Sequence, residues 1–289
     1  MNKALALLYS PWFELKRILF GVRHSAMVDI TDNCNLRCDH CYHFRGKDEF
    51  NKSEEPVSVW NERFMELYRG GTRFILLLGG EPALRTDILM LADSIFPFVY
   101  VITNGTISIP KEFNHRLFVS LDGGKKTNDD IRGVGVYDLV LKNFSEDPRV
   151  IINMTLSTDN YMELEHVVKT SLEHKLRGVV CNICTYTLGD SNPLPLSREA
   201  RKPIISELKR VKKKYPGGLI LTSSMINWYA EPDHSDYCYW GDKAHHFDSS
   251  WNRRRCFANT DCSNCGCLGG AFQSPRHWLM HPREMLRLM

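Results

Sequence analysis

A short apolar run leads directly into three cysteines in the segment Ala26-Met-Val-Asp-Ile-Thr31-Asp-Asn-Cys34-Asn-Leu-Arg-Cys38-Asp-His-Cys41. The run has the length and the composition of a buried β-strand. The cysteines follow with the spacing C-x3-C-x2-C, which brings three thiols into one tight loop. Thiols grouped in this way predict a metal centre, and a loop after the first strand is where parallel α/β barrels carry their active sites.

Short apolar runs alternate with amphipathic stretches through the middle of the chain, which is the pattern of βα units around a parallel sheet. We expect strands at residues 26–31, 74–78, 99–103, 117–121, 150–156 and 179–185. We expect helices at residues 57–68, 86–95, 137–144, 161–174 and 197–214. Six strands with five intervening helices predict the α/β class, as a partial (β/α)6 TIM-like barrel.

Changes in composition divide the chain into three predicted parts. Residues 1–24 are an amphipathic N-terminal extension, and residues 25–216 are the barrel. The alternation of strands and helices is lost from about Gly217, and five of the ten cysteines lie in residues 217–289. We therefore expect a Cys-rich C-terminal extension that carries an auxiliary metal site.

The overall composition is that of an ordinary globular protein, with 43% hydrophobic and 25% charged residues. No apolar run is long enough to span a bilayer, and the N-terminal stretch does not have the pattern of a secretory signal. We therefore expect a cytoplasmic protein in a reducing compartment, where clustered cysteines are metal ligands rather than disulfides. The formal charge of +3 is too small to indicate nucleic-acid binding.

The cysteine loop and the tyrosine after it resemble the signature of the radical S-adenosylmethionine (SAM) superfamily. This resemblance implies that Cys34, Cys38 and Cys41 hold a [4Fe–4S] cluster whose fourth iron binds SAM, with Tyr42 beside the cofactor. It also implies reductive cleavage of SAM to a 5′-deoxyadenosyl radical, with a ferredoxin or a flavodoxin as the electron donor. A zinc knuckle or three unrelated buried thiols are the alternatives, although structural zinc usually has a fourth protein ligand.

The second predicted strand ends in Gly79-Gly80-Glu81-Pro82. Paired glycines allow the backbone to approach a ligand closely. The segment resembles the superfamily's Gly-Gly-Glu-Pro motif, which implies that these four residues bind the SAM amino group. A turn with Pro82 at the first position of a helix is the alternative.

Polar residues lie on the fourth and fifth predicted strands and in the segment after the fourth. The fourth strand leads into a Ser-x-Asp-Gly segment with Ser120 and Asp122, and then into an Asp-x-x-Arg-Gly segment with Arg132. Both segments resemble those of radical SAM enzymes related to peptide maturases and the SPASM branch. The resemblance implies that Ser120 and Arg132 bind the SAM carboxylate, and that Asn153 contacts the ribose or the carboxylate. Asp122 as a helix cap, Arg132 as a solvated residue and Asn153 as a buried structural amide are the alternatives.

The C-terminal extension contains Cys238, Cys256, Cys262, Cys265 and Cys267. Thiols at this density predict a second metal site, and four of them could complete a [4Fe–4S] cluster, which we favour, or a closed zinc site. Spacing does not identify the thiol that is left over. The layout is similar to the auxiliary-cluster extensions of SPASM-type enzymes and, in fewer features, to the C-terminus of the adenosylhopane-forming family.

Cys181 and Cys184 form a C-x2-C pair on the sixth predicted strand. Side chains three positions apart on a strand point to opposite faces, so the pair cannot bind one metal there. We expect both to be packing cysteines.

The leading functional hypothesis is a radical SAM enzyme that modifies an unactivated position of a small metabolite, a lipid or an isoprenoid. A peptide maturase is the alternative within enzymes, and a non-catalytic zinc or iron–sulfur protein is the alternative of another class. The loop at residues 186–192 is expected to roof the substrate pocket at the barrel mouth.

The N-terminal extension places large apolar residues among basic ones, namely Trp12, Phe13, Leu15, Ile18, Leu19 and Phe20. An amphipathic stripe of this kind usually packs against a core, and we expect it to pack against the barrel. Peripheral contact with a membrane is the alternative, and it would favour a lipid substrate.

Overall fold

The computed structural model describes residues 12, 15–16, 19–44, 53–184, 196–230, 238, 244–256, 262 and 265–267. The strands are β1 (Ser25–Thr31), β2 (Phe74–Gly79), β3 (Phe98–Thr103), β4 (Arg116–Ser120), β5 (Val150–Leu156), β6 (Val179–Ile183) and β7 (His245–Phe247). They form one parallel sheet in the order β6-β5-β4-β3-β2-β1-β7. Strands β1 to β6 are neighbours in chain order, as in a partial α/β barrel.

Helices connect the strands and cover the outer face of the sheet. They are α1 (Val57–Arg69), α2 (Thr86–Ile95), α3 (Lys125–Arg132), α4 (Val136–Phe144), α5 (Leu164–Glu173), α6 (Arg198–Lys214) and α7 (Ser223–Trp228). Short 3-10 turns at Pro82–Arg85 and Tyr161–Glu163 precede α2 and α5. All six predicted strands and all five predicted helices are present, and the predicted partial barrel is confirmed.

The two faces of the sheet have different surroundings because successive side chains of a strand point to opposite sides. In β1, Val28 and Ile30 pack in the large core under the helices, together with Trp60 and Phe64 of α1. Met27 belongs to a smaller cluster on the other face, inside the barrel. The outer face therefore supplies most of the apolar burial, and the inner face has room for polar groups.

Cys181 and Cys184 are both buried, with 0% and 3% of their surface exposed. Cys181 is part of the large core, whereas Cys184 follows the last residue of β6. Both therefore have the packed environment that the sequence predicts.

Strand β7 comes from the C-terminal extension and pairs in parallel with β1. The sequence does not indicate this strand, because His-His-Phe is too short to show an apolar period. Its Phe247 stacks on Trp251 with ring centroids 4.2 Å apart, and Trp251 meets Trp60 edge to face at 6.0 Å. The extension is thus joined to the barrel by backbone pairing and by an aromatic contact.

Helix α3 is a second element that the apolar pattern does not indicate. Its sequence KKTNDDIR has one apolar residue, so no helical period is visible, and the side chains that it buries are Asn128 and Arg132. The large core also continues past Gly217, since Leu219 and Met225 belong to it. The composition change at Gly217 therefore does not coincide with the end of the packed core.

The N-terminal segment differs from the expectation that it packs against the barrel. Its described residues are helical, and Trp12, Leu15, Leu19 and Phe20 are 51%, 44%, 61% and 73% exposed. The expectation is wrong for these four side chains because they face away from the core. Among the described residues, no helix is long and apolar enough to cross a membrane.

The aromatic contact of the extension gives a first prediction. We expect Trp251→Ala to lower the free energy of unfolding by about 2 kcal/mol, because a partly buried ring is lost from the seam with α1. Urea unfolding followed by circular dichroism measures the change. The control is Leu172→Ala on α5, whose side chain is 45% exposed and whose loss should have little effect. Equal stability of the two variants would contradict a stabilising role of this contact.

Candidate active site

The cysteine loop follows β1 at the carboxyl edge of the sheet, and all three of its thiols are partly buried. A tight turn closes the loop, because the Cys41 amide donates to the Cys38 carbonyl at 3.1 Å. Burial raises the pKa of Cys34, and it raises the pKa of Cys38 to about 11. The negative charge of Cys41 contributes to both shifts. The three thiols therefore lie close enough to interact, as ligands of one centre must.

Glu81, at the end of β2, is completely buried beneath the loop. Its carboxylate accepts hydrogen bonds from the Ala83 amide at 2.8 Å, the Thr103 hydroxyl at 2.6 Å and the Asn104 amide at 2.7 Å. Burial raises the pKa of Glu81, and these three donors oppose the rise. The side chain that the motif assigns to the SAM amino group is thus occupied by the ends of β2 and β3.

Asn104 links Glu81 to Cys34, the first cysteine of the loop. Its side-chain amide donates to Asn35 Oδ1 at 2.9 Å and lies 3.8 Å from Cys34 Sγ. The Thr106 amide in turn donates to Asn104 Oδ1 at 2.9 Å. Asn104 is a site residue that the sequence interpretation missed, although a polar residue directly after a buried strand is a signal that could have identified it.

Asp122 is the second buried carboxylate under the loop, and none of its surface is exposed. One oxygen lies 2.6 Å from Arg132 Nε and 3.2 Å from His40 Nε2, and the other accepts from the Thr155 amide at 2.7 Å. Burial alone would raise the pKa of Asp122, but Arg132 and His40 outweigh it and hold the pKa at about 2. Asp122 is therefore an ionised hub between β4, α3 and the cysteine loop.

Arg132 connects this hub to the second cysteine. Its guanidinium is buried, and Nη1 lies 3.9 Å from Cys38 Sγ. Its charge opposes the effect of burial on the Cys38 pKa. The helix that carries it also contacts the loop through the backbone, since the Asp39 amide donates to the Ile131 carbonyl at 3.1 Å. The structure thus brings Arg132 to the cysteines, with its guanidinium in contact with the Asp122 carboxylate.

The glycines of the Gly-Gly-Glu-Pro segment pack against the cysteine loop. A Cβ on Gly79 would lie 2.3 Å from the Thr31 carbonyl oxygen, and one on Gly80 would lie 2.1 Å from that of Asn33. Gly79 also has φ +131°, which disfavours other residues. Pro82 begins the 3-10 turn, as a proline at a first helical position does. This close approach fixes the distance between the ends of β1 and β2.

Ser120, the last residue of β4, is the register partner of Asn153 in the middle of β5. Asn153 Oδ1 accepts a hydrogen bond from Asn182 Nδ2 of β6 at 3.0 Å. Ser120 is buried, whereas Asn153 and Asn182 are half-buried. These side chains alternate with those that pack under the helices, so they form a polar row inside the barrel mouth.

The residues after Cys41, the third loop cysteine, lead into another polar network. Tyr42 is partly buried, and burial together with the charge of Asp29 raises its pKa. His43 Nε2 lies 3.0 Å from Asp32 Oδ1, and His43 Nδ1 lies 3.7 Å from Asp29 Oδ2. The sequence interpretation missed Asp29, Asp32 and His43, although the charged Asp29 inside the apolar strand β1 was an available signal.

Two residues of the C-terminal extension complete this network. The Ser249 hydroxyl donates to Asp32 at 2.6 Å, and Arg254 Nη1 lies 3.5 Å from Asp29 Oδ2. Arg254 also pairs with Asp248 at 3.2 Å. The extension therefore contacts the first strand and the segment that enters the cysteine loop.

The C-terminal thiols form a second group. Burial raises the pKa of Cys265 to about 12, and the nearby thiols of Cys238, Cys256 and Cys262 contribute. The Gly266 carbonyl accepts from the Ile183 amide at 2.9 Å, which fixes the group beside the end of β6.

Cys267 lies beside Cys265, because its amide donates to Cys265 Sγ at 3.3 Å. The charges of Cys265 and Cys267 both raise the pKa of Tyr229, and that of Cys267 also raises the pKa of Tyr42. Buried Arg201 supports the same turn, because its Nη1 donates to the Cys265 carbonyl at 2.8 Å.

The loop at residues 186–192, predicted to roof the pocket, lies outside the described residues. No group of three or more described His, Cys, Asp and Glu side chains is arranged to hold a single metal ion. A [4Fe–4S] cube places different demands on its ligands, since each thiolate binds its own iron. The all-sulfur donor set of the loop and the mutual influence of its thiols fit such a cube.

Residues 28–170 match the model of the radical SAM superfamily. The Fe-coproporphyrin III synthase of Methanosarcina barkeri is 30% identical over 176 residues, which cover 55% of this chain and 43% of that protein. The chain thus spans less than half the length of this curated relative.

Two solved structures share the fold. SuiB from Streptococcus suis, bound to the precursor peptide SuiA, matches 92% of this chain and 70% of its own with a TM-score of 0.67 at 14% identity. The protein anSMEcpe with bound AdoMet matches 90% of this chain and 84% of its own with a TM-score of 0.63 at 14% identity. Both matches extend well beyond residues 28–170, so the likeness in fold includes much of the chain outside the family domain.

The buried ion pair under the loop gives the second prediction. We expect Asp122→Asn to lower the free energy of unfolding by about 3–5 kcal/mol, because it leaves the Arg132 charge buried without its partner. The depressed pKa stabilises the fold above the ordinary value of 3.8, and this stabilisation is lost as the pH falls towards about 2.

Urea unfolding at neutral pH measures the effect. The matched control is Asp138→Asn, which removes an exposed ion pair with Lys125 of the same helix α3. The control should unfold like the wild type. A loss for Asp122→Asn no larger than that of the control would contradict the role of the buried pair.

Proposed function

The chain belongs to the radical SAM superfamily, and we propose that it cleaves SAM reductively at a [4Fe–4S] cluster on Cys34, Cys38 and Cys41. The observation that carries this proposal is the way the thiols are held. They lie in one loop over the carboxyl edge of the sheet, and buried carboxylates from β2 and β4 support the loop from two sides. Three protein thiolates leave one iron of a cube open, so a small molecule can bind there.

When bound, the cluster would supply the electron that cleaves SAM into methionine and a 5′-deoxyadenosyl radical, which then attacks an unactivated position of the substrate. The chain's own residues position the ligands. Glu81 helps to position Cys34 through Asn104. Asp122 helps to position Cys38 through Arg132, and it holds the loop through His40. The Arg132 cation beside Cys38 favours the thiolate form that an iron ligand requires.

The polar row inside the barrel mouth is the proposed contact surface for SAM. Because Asn182 donates to Asn153 Oδ1, the Asn153 amide is oriented with its NH2 group as the remaining donor. Such a donor suits the carboxylate or the ribose oxygens of SAM. Ser120 stands beside it on β4. Backbone groups of the segment from Gly79 to Pro82 would bind the amino group, and Tyr42 would border the site.

A second [4Fe–4S] cluster in the extension is proposed on Cys238, Cys256, Cys262 and Cys265. The support is that the first three thiols all influence the pKa of the fourth. Cys267 is assigned to the barrel side, because its charge raises the pKa of Tyr42 next to the first cysteine loop. Zinc on the same four thiols is the competing assignment, and metal analysis distinguishes the two.

The substrate is proposed to be a small metabolite, a lipid or an isoprenoid, bound between the two groups of cysteines. A peptide is the second candidate. It is favoured by the match to peptide-bound SuiB, which covers 92% of this chain and so reaches into the extension. A low-potential donor such as ferredoxin or flavodoxin in the cytoplasm would supply the electrons.

Replacing the three loop cysteines gives the third prediction. Anaerobically reconstituted wild-type protein should contain about eight iron atoms, and Cys34→Ala/Cys38→Ala/Cys41→Ala should contain about four. With dithionite and SAM, the wild type should release 5′-deoxyadenosine and the variant should not. A fully loaded wild type that forms none, with or without candidate substrates, would favour the non-catalytic alternative.

The assignment of the auxiliary ligands gives the fourth prediction. Cys265→Ser should reduce the iron content to about four atoms, whereas Cys267→Ser should keep about eight. Iron and sulfide analysis with electron paramagnetic resonance of the reduced protein measures both. Equal iron loss in both variants would place Cys267 among the ligands, and about one zinc per chain in place of the second cluster would establish the zinc assignment.

A further inference from the structure

We propose that the N-terminal segment binds in the plane of an anionic lipid bilayer and anchors the enzyme to the membrane surface. Trp12, Leu15, Leu19 and Phe20 are helical and 44% to 73% exposed. Their spacing of three, seven and eight positions from Trp12 places them on one face of a helix. Four large apolar side chains on one exposed face form a surface that a bilayer can bury.

The charge of the segment favours an anionic surface. Residues 1–24 contain four basic residues and one acidic residue, so this segment alone accounts for the formal charge of +3 of the whole chain. The remaining residues are neutral in sum. A positive charge concentrated around an apolar face is the composition of helices that lie at the interface of anionic membranes.

Lys16 shows how charge and apolar surface are combined. Its ammonium group lies over the Trp12 ring, 5.2 Å from the ring centroid. When the indole enters the interfacial region, this cation is at the level of the lipid phosphates. Pairing of two copies through the same face would instead bring the basic residues of both segments together, and this repulsion disfavours a dimer.

The attachment of the segment determines which end of the barrel faces the membrane. The described helical residues end at Phe20, and the next residue, Gly21, has a φ of +66°, the left-handed conformation that ends many helices. Val22 then packs against Gly71, and β1 begins at Ser25. The segment therefore joins the amino-terminal end of β1, at the edge of the sheet opposite to the cysteine loop. A protein anchored here keeps the mouth of the barrel accessible.

Vesicle flotation with the full-length reconstituted enzyme tests the proposal. The vesicles contain equal parts of phosphatidylcholine and phosphatidylglycerol, and pure phosphatidylcholine vesicles test the charge dependence. We expect Trp12→Ser/Leu19→Ser/Phe20→Ser to reduce the bound fraction at least about tenfold. The matched control, Val134→Ser/Met162→Ser, removes side chains that are 98% and 67% exposed elsewhere and should bind like the wild type. Iron content and circular dichroism verify that all three proteins are folded.

Three outcomes would overturn the proposal. They are the absence of wild-type binding, equal loss of binding in both variants, and wild-type binding by the N-terminal variant. Light scattering tests whether this face instead binds a second copy of the chain. A wild-type dimer that becomes a monomer in the N-terminal variant would assign the face to the second copy and overturn the proposal. Binding to anionic but not to neutral vesicles, at low but not at high salt, is the expected result. None of these outcomes depends on the SAM chemistry.

Discussion

The carboxylate of Asp122 is the constraint on which the cysteine loop depends. A buried charge is tolerated only where opposite charges and hydrogen-bond donors surround it, and Asp122 has Arg132, His40 and the Thr155 amide. The three partners come from α3, from the loop itself and from β5. Because the carboxylate is wholly buried, displacing any partner would leave a charge unbalanced. The loop therefore has one favourable position relative to β4, and Cys38 is placed by electrostatics as well as by packing.

Glu81 imposes the matching constraint on the other side of the loop. It ties the ends of β2 and β3 together, and Asn104 extends this contact to the residue beside Cys34. The glycines before it permit a contact between β2 and the incoming segment that a side chain would prevent. The described contacts of the Glu81 and Asp122 carboxylates are thus with groups of the protein itself.

Strong apolar periods made the six-stranded barrel predictable, and the spacing of Cys34, Cys38 and Cys41 indicated its metal loop. Elements without such a period were not predictable. Strand β7 forms by pairing with the free edge of β1. Helix α3 is held by the contacts of Asn128 and Arg132 with Asp122. Both depend on contacts between residues distant in sequence. The contacts of Glu81 and Asp122 were not predictable for the same reason. The sequence shows that each carboxylate is present, but it does not show which buried donors the carboxylate contacts.

The polar network around His43 explains why the C-terminal extension matters for the loop. His43 follows the last loop cysteine by two positions and meets Asp29 and Asp32, while Arg254 and Ser249 reach the same carboxylates from the extension. Asp29, Asp32 and His43 are buried, so their contacts are less screened than those of surface pairs. A displacement of the extension would expose two carboxylates and a histidine directly under the loop. The extension that carries the second group of cysteines is therefore tied to the segment that holds the first.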